Sequence, residues 1–148
     1  MDGFKLVGNW SMELRGPDGE IKDKRDSHNV VTTVGKEFLA SFLYSSAVAP
    51  ATFTCKYIGI GTDATAEAVG NTALGVEVSR HTGTAGYTSG AIYTVVATFA
   101  TGSGTGAIVE YGILSSNTAG TLFSRLTTAA INKGASDTLT VTAQLTIS

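Results

Sequence analysis

Thr138-Leu139-Thr140-Val141-Thr142-Ala143-Gln144-Leu145-Thr146-Ile147 reads as a β-strand with one admissible register. Leu139, Val141, Ala143, Leu145 and Ile147 share one face, and Thr138, Thr140, Thr142, Gln144 and Thr146 share the other. That two-residue period belongs to a strand with one face in a core. A slip of one residue would turn every apolar group into water, so the pattern fixes the inward face. Upstream, Tyr93, Val95, Ala97 and Phe99 alternate with Thr94, Val96 and Thr98 in the same way. Thr101-Gly102-Ser103-Gly104-Thr105-Gly106 then turns the chain into a second apolar run at 107–114, the signature of an antiparallel hairpin. Residues 121–126 predict a further strand, and Asn132-Lys133-Gly134 a turn.

Toward the N-terminus, Phe4, Leu6, Trp10 and Met12 alternate with Lys5, Asn9, Ser11 and Glu13. Gly16-Pro17-Asp18-Gly19 supplies a turn, because Pro presets φ and Gly accepts positive φ. The charged stretch 20–26 is expected to return as the second arm of a hairpin. Its mixed charges suit an edge strand guarded against wrong pairing, or else a polar docking surface. Val30, Val34, Phe38, Leu39, Phe42 and Leu43 recur at three- and four-residue spacing, which predicts one amphipathic helix near 32–44. Thr32 or Thr33 can cap it, Glu37 lies toward its N-terminal end, and 45–50 is expected to end it. Beyond it, 56–60 reads as a strand and 64–72 as an exposed loop. Residues 74–80 read as extended with Val76 and Val78 opposite Glu77, and 83–90 as a small-residue loop. The expected fold is mainly β: an antiparallel β-sandwich or jelly-roll-like domain over 29–148, preceded by an N-terminal hairpin or arm at 1–28.

Composition agrees with that class. The 148 residues fit one domain, and 43% hydrophobic against 15% charged content with 18 glycines and 2 prolines suits short strands and tight turns. A net charge of −2 supplies no basic field for nucleic acid. No uninterrupted apolar run approaches the ~20 residues of a membrane span. Met1-Asp2-Gly3-Phe4 carries an acid where a signal peptide carries positive charge, so a soluble product without a classical export signal is expected. Cys55, the single cysteine, allows no internal disulfide and is expected as a small buried apolar group in a chain that folds in a reducing compartment.

The sequence offers little chemistry. His28 and His81 are the only histidines, and neither has a second histidine at ligand spacing, so both are expected in loop, capping or surface roles. Asp63 and Glu67 lack EF-hand spacing, and the glycine-rich stretches lack the Gly-Lys-Ser/Thr ending of a phosphate loop. No metal or cofactor is therefore expected. The informative residues are charges set among apolar ones: Glu77 before Arg80, Glu110 within Ile108-Val109-Glu110-Tyr111-Gly112, and Arg125 and Lys133. Buried charges pair, so these five predict a structural charge network that pins loops to the sandwich. The competing use of Glu77 and Glu110 is an acid/base pair of a carbohydrate-binding or hydrolytic sandwich.

One ordered series of motifs carries a family resemblance. It runs from Asn29-Val30-Val31-Thr32-Thr33-Val34-Gly35 through Tyr57-Ile58-Gly59-Ile60-Gly61-Thr62 to Thr72-Ala73-Leu74-Gly75-Val76-Glu77-Val78-Ser79-Arg80. Ile108-Val109-Glu110-Tyr111-Gly112-Ile113-Leu114, Leu122-Phe123-Ser124-Arg125, Ile131-Asn132-Lys133 and the alternating terminal strand follow. In order and spacing this resembles small tailed-bacteriophage virion proteins of the capsid decoration or cement type, which are related to tail-associated β-sandwich proteins. The resemblance implies a non-enzymatic protein made in the host cytoplasm and displayed on the capsid surface. It further implies binding to the major capsid protein and self-association as a trimer or dimer, with no nucleic-acid or membrane partner. Phe4, Leu6, Trp10 and Met12 in the N-terminal segment are the expected assembly contacts. A tail- or fibre-associated role in host attachment, with loops 64–72 or 82–90 engaging a receptor, is the alternative location.

Overall fold

The computed structural model describes residues 5–44, 55–88 and 91–148. Along these residues run β1 (Leu6–Arg15), β2 (Ile21–His28), β3 (Val30–Val31), α1 (Thr33–Tyr44), β4 (Tyr57–Gly61) and β5 (Glu77–Thr82). Then follow β6 (Thr84–Thr88), β7 (Ile92–Phe99), β8 (Gly106–Leu114), β9 (Leu122–Lys133) and β10 (Thr138–Ile147). They form two five-stranded antiparallel sheets, ordered β2-β1-β10-β7-β6 and β3-β9-β8-β4-β5. The sheets face each other as a sandwich, and neither closes into a barrel. Phe4, the side chains of Phe42 and Leu43, and the helix stop expected at 45–50 lie outside the described residues.

The alternating strands meet where their periods require. Trp10, Met12 and Leu14 of β1, Leu139, Val141, Ala143 and Leu145 of β10, and Val95, Ala97 and Phe99 of β7 all point inward. Ile58 and Ile60 of β4, Ile108, Tyr111 and Ile113 of β8, and Phe123, Leu126 and Ile131 of β9 face them across the core. Burial of this apolar surface is the main driving force for the fold.

The N-terminal segment differs from a detached arm. The hairpin exists, with Gly19 at φ 80 in its turn. Its first strand, however, pairs with β10 over ten positions, from Leu6↔Ile147 to Arg15↔Thr138. Lys5 and Ser148 extend that ladder by exchanging both backbone hydrogen bonds, at 2.6 and 3.0 Å. The hairpin within 5–28 is therefore built into the sandwich: β1 is an interior strand of the first sheet. Trp10 and Met12 are 2% and 0% exposed in the chain's own core, which removes them as assembly contacts. Leu6 is half-buried and packs on the same core.

Four sequence expectations change in detail. The turn at 101–106 closes no hairpin, because β7 pairs with β10 and β6 in the first sheet and β8 with β9 and β4 in the second, so the chain crosses between the sheets there. Residues 84–88, expected as loop, form edge strand β6; exposed on both faces over 84–87, it carries no alternation to announce itself. β9 continues through the expected turn at 132–134, as far as Lys133. From Ile108↔Ile131 to Glu110↔Thr127, β8 advances two residues and β9 four, so β9 bulges there. Arg25 of β2 reaches across the sandwich to the Ala129 and Ala130 carbonyls at this bulge, at 2.6 and 3.0 Å. Val76 and Val78 are exposed and so is Glu77, because Val76 precedes β5 and the start of β5 is the outer end of an edge strand.

The helix starts where its cap lies. Thr32, fully buried, accepts the Gly35 N–H at 3.0 Å and continues the β3–β9 pairing through Thr32 N–H to Phe123 O at 3.1 Å. Gly35 permits α1 to lie on β9, since a Cβ there would sit 2.3 Å from the Phe123 carbonyl oxygen. Glu37 falls beyond the first turn, so it does not face the helix N-terminus closely.

Candidate functional site

The outer face of the second sheet is the most built part of the molecule. In Tyr57-Ile58-Gly59-Ile60-Gly61 the isoleucines enter the core, so the glycines look outward. Gly59 pairs with Gly112 of β8, and Gly112 pairs with Arg125 of β9. These bare positions leave a hollow, and the segment 62–76 folds down over it. Leu74 packs there against Leu114 and Leu122, with Tyr57 alongside. β8 is thus buried on both faces from Ile108 onward, although no further sheet covers it.

Glu110 and Arg125 lie under this cover at 0% and 2% exposure. Arg125 donates from Nε and Nη2 to Glu110 Oε2 at 3.1 and 3.0 Å. Its remaining donors reach the loop: Nη1 to Thr65 O at 2.9 Å and Asn71 Oδ1 at 3.3 Å, and Nη2 to Asp63 Oδ2 at 3.3 Å. Glu110 also accepts from the loop backbone, Val76 N–H at 2.7 Å and Asp63 N–H at 3.3 Å on Oε1, and Gly75 N–H at 2.9 Å on Oε2. A buried ion pair is tolerated when added hydrogen bonds satisfy its remaining lone pairs and protons, and the loop backbone supplies them. Gly61 leaves the room: a Cβ on it would stand 2.3 Å from Glu110 Oε1 and 2.4 Å from Val76 O. Asp63 caps its own turn by accepting Thr65 N–H at 3.0 Å and Thr65 Oγ1 at 2.7 Å. Those bonds, with Arg125 nearby, hold its carboxyl below the usual range. Glu67 accepts from Thr127, and Val69 O from Thr33 N–H at 2.7 Å, so the loop is fastened along its length.

The other expected site residues occupy separate places. Glu77 and Arg80 form a two-bond pair at 2.7 and 2.6 Å, from which Arg80 Nη1 donates to Ser116 O and Ala119 O at 2.8 and 2.7 Å. That pair fastens the loop between β8 and β9. Lys133, 2% exposed, donates to Ala100 O at 3.0 Å and Asp137 O at 2.8 Å. Burial pushes its ammonium below the ordinary lysine value. The five residues therefore form two pairs and a lone lysine rather than one continuous network.

Asp137 had no motif to mark it. It accepts Lys22 Nζ at 2.9 and 3.0 Å and Gly134 N–H at 2.8 Å, and these bonds lower its carboxyl pKa. His81, expected at the surface, is half-buried: its Nε2 lies 2.8 Å from Ser103 Oγ and its ring 4.6 Å from Phe99. Cys55 is half-buried against the core, and burial pushes its thiol up to about 12.

Chemically, the arrangement is a lock. Both Glu110 oxygens are occupied by internal donors and out of solvent reach, and Glu77 is held by Arg80, which leaves neither placed as a partner in acid/base work on a sugar. Among the described residues no three His, Cys, Asp or Glu side chains stand together in a way that could hold a metal ion, and no helix is long and apolar enough to cross a membrane. No known family, curated protein or solved structure matches this chain.

Proposed function

We propose that this chain is a non-enzymatic structural protein of a tailed-phage virion, a decoration protein that binds the major capsid protein and stabilises the head shell. One observation carries the reading. Four of the motifs on which the resemblance rests, those at 57–62, 72–80, 108–114 and 122–125, converge on a single face: Gly59, Gly61, Leu74, Gly75, Glu110, Gly112, Leu122 and Arg125 jointly fasten the 62–76 cover onto the second sheet. A motif series spent on fixing an exterior layer suits a protein whose work is to keep its shape under load. Fold alone does not define such a role, so support comes from what these residues do.

The test is cosedimentation of purified protein with undecorated expanded heads, with tails and host cells in parallel. Saturable binding to heads at a fixed number of copies per capsomer is the expected result. Binding confined to tails or cells would move the protein to the adsorption apparatus, and binding to none of the three would overturn the virion reading.

A further inference from the structure

The two edges of the first sheet are chemically opposite. β2 carries Lys22, Asp23, Lys24, Arg25 and Asp26 within its eight residues. β6, Thr84-Ala85-Gly86-Tyr87-Thr88, carries no charge and no proline, and its Tyr87 is 80% exposed. Natural edge strands are guarded by charge, proline or a covering element. β2 has the first guard, whereas β6 has neither of the first two, and among the described residues β7 is its only strand partner. The outward β7 residues beside it, Thr94, Val96 and Thr98, are also uncharged.

We infer that β6 is a self-association edge: it pairs antiparallel with β6 of a second copy about a two-fold axis at Gly86, joining two first sheets into one of ten strands. The occupant follows from the sequence of the edge. Under that rotation Gly86 meets Gly86 of the second copy, and Ala85 meets Tyr87 of the second copy on each side of the axis. Small stands against large twice, and no charge faces a like charge. Gly86 has open space where a side chain would be, so a side chain introduced there meets nothing within its own chain. The opposite edge explains why the assembly stops at two. The outer strands of the joined sheet are the charged β2 edges, so the contact closes as a symmetric dimer instead of growing into a filament.

The inference goes beyond the virion reading and does not need it, because the dimer forms without a capsid. Its test uses purified protein alone: molar mass by light scattering over a concentration series, for wild type and Ala85→Lys, with thermal melting to check the fold. Wild type is expected to move toward twice 15.2 kDa with concentration, and Ala85→Lys to stay monomeric with an unchanged melt. Register is tested by oxidation of Gly86→Cys and Thr84→Cys, each on a Cys55→Ser background. Facing Cα atoms in an antiparallel pair lie ~4.5–5.5 Å apart, within disulfide reach. The two copies of position 84 stand four residues apart along the strand, roughly 14 Å. Gly86→Cys is therefore expected to give a covalent dimer and Thr84→Cys to stay uncrosslinked. Monomeric wild type throughout, a dimer that survives Ala85→Lys, or equal cross-linking at both positions would overturn the inference. None of these results bears on head binding.

Discussion

Glu110→Gln keeps the shape of the side chain and removes its charge, so it isolates what the buried pair contributes. The carboxylate accepts five hydrogen bonds, from Val76 and Asp63 N–H on one oxygen and from Gly75 N–H and two Arg125 nitrogens on the other. A glutamine has one acceptor and one NH2 group at this position. In either orientation the NH2 confronts at least two N–H donors, and Arg125 is left without its main counter-charge in a site of 2% exposure. Removing one partner of a buried pair costs about 3–5 kcal/mol. For a chain of this size that corresponds to a melting shift of roughly 10 °C. Urea unfolding gives the magnitude, and amide hydrogen exchange gives the location: Thr62, Gly75 and Val76 should lose protection first, ahead of β10. Arg125→Met introduced on top of Glu110→Gln should cost less than Arg125→Met alone, with a coupling of about 2 kcal/mol, because no charge is then stranded. A Glu110→Gln protein within about 0.5 kcal/mol of wild type, or exchange that rises evenly across both sheets, would refute this account.

Deletion of residues 1–26 should abolish cooperative folding, since it removes β1 and most of β2 from the first sheet along with Trp10, Met12 and Leu14; a truncated protein with native near-UV dichroism and a sharp melt would contradict it. Trp10→Ala alone should cost about 3–5 kcal/mol by urea unfolding, where a loss under about 1 kcal/mol would mean that the core collapses to fill the gap. Asp63 and Asp137 have folded pKa values below the ordinary 3.8, so the stability they add is present above that value and is lost as pH falls through the lower folded values. Asp137→Asn should therefore flatten the acid limb of stability below about pH 5, and parallel limbs in wild type and variant would count against the Lys22 contact. Gly61→Ala should destabilise by about 1–3 kcal/mol through overpacking, with heightened exchange at Val76; an unchanged melt would show that Glu110 gives way freely.

The elements with a local period were legible in the sequence, and those held by distant partners were not. β10, β7 and α1 each carry an alternation or a three-to-four spacing that survives inspection in isolation, and β8 stands out as an apolar run after a glycine-rich turn. β6 lacks one because an edge strand held through its backbone imposes no pattern on exposed side chains. β9 was cut short at Leu126 because Thr127, Thr128 and the two alanines at its bulge interrupt the apolar run. β1 could be read as an arm because its pairing with β10 spans the whole chain, and no local window contains both. Glu110 and Arg125 drew notice as charges among apolar neighbours. That they meet each other and the 62–76 loop depends on the cross-strand register. One signal went unread: Gly59, Gly61 and Gly112 bare one face of two neighbouring strands, and a bare face on a central strand calls for a cover.

The ladder joining Lys5 to Ser148 carries a mechanical consequence. Residues 5 and 148 stand side by side at one end of an antiparallel pair, so tension between them opens the β1–β10 rungs one at a time, like a zip, rather than shearing all ten together. The molecule is weak when pulled by those two residues and stiff when loaded broadside through its sheets. A cargo fused at either residue would leave from a single point, and the load that this fold resists best enters through its faces and lateral edges.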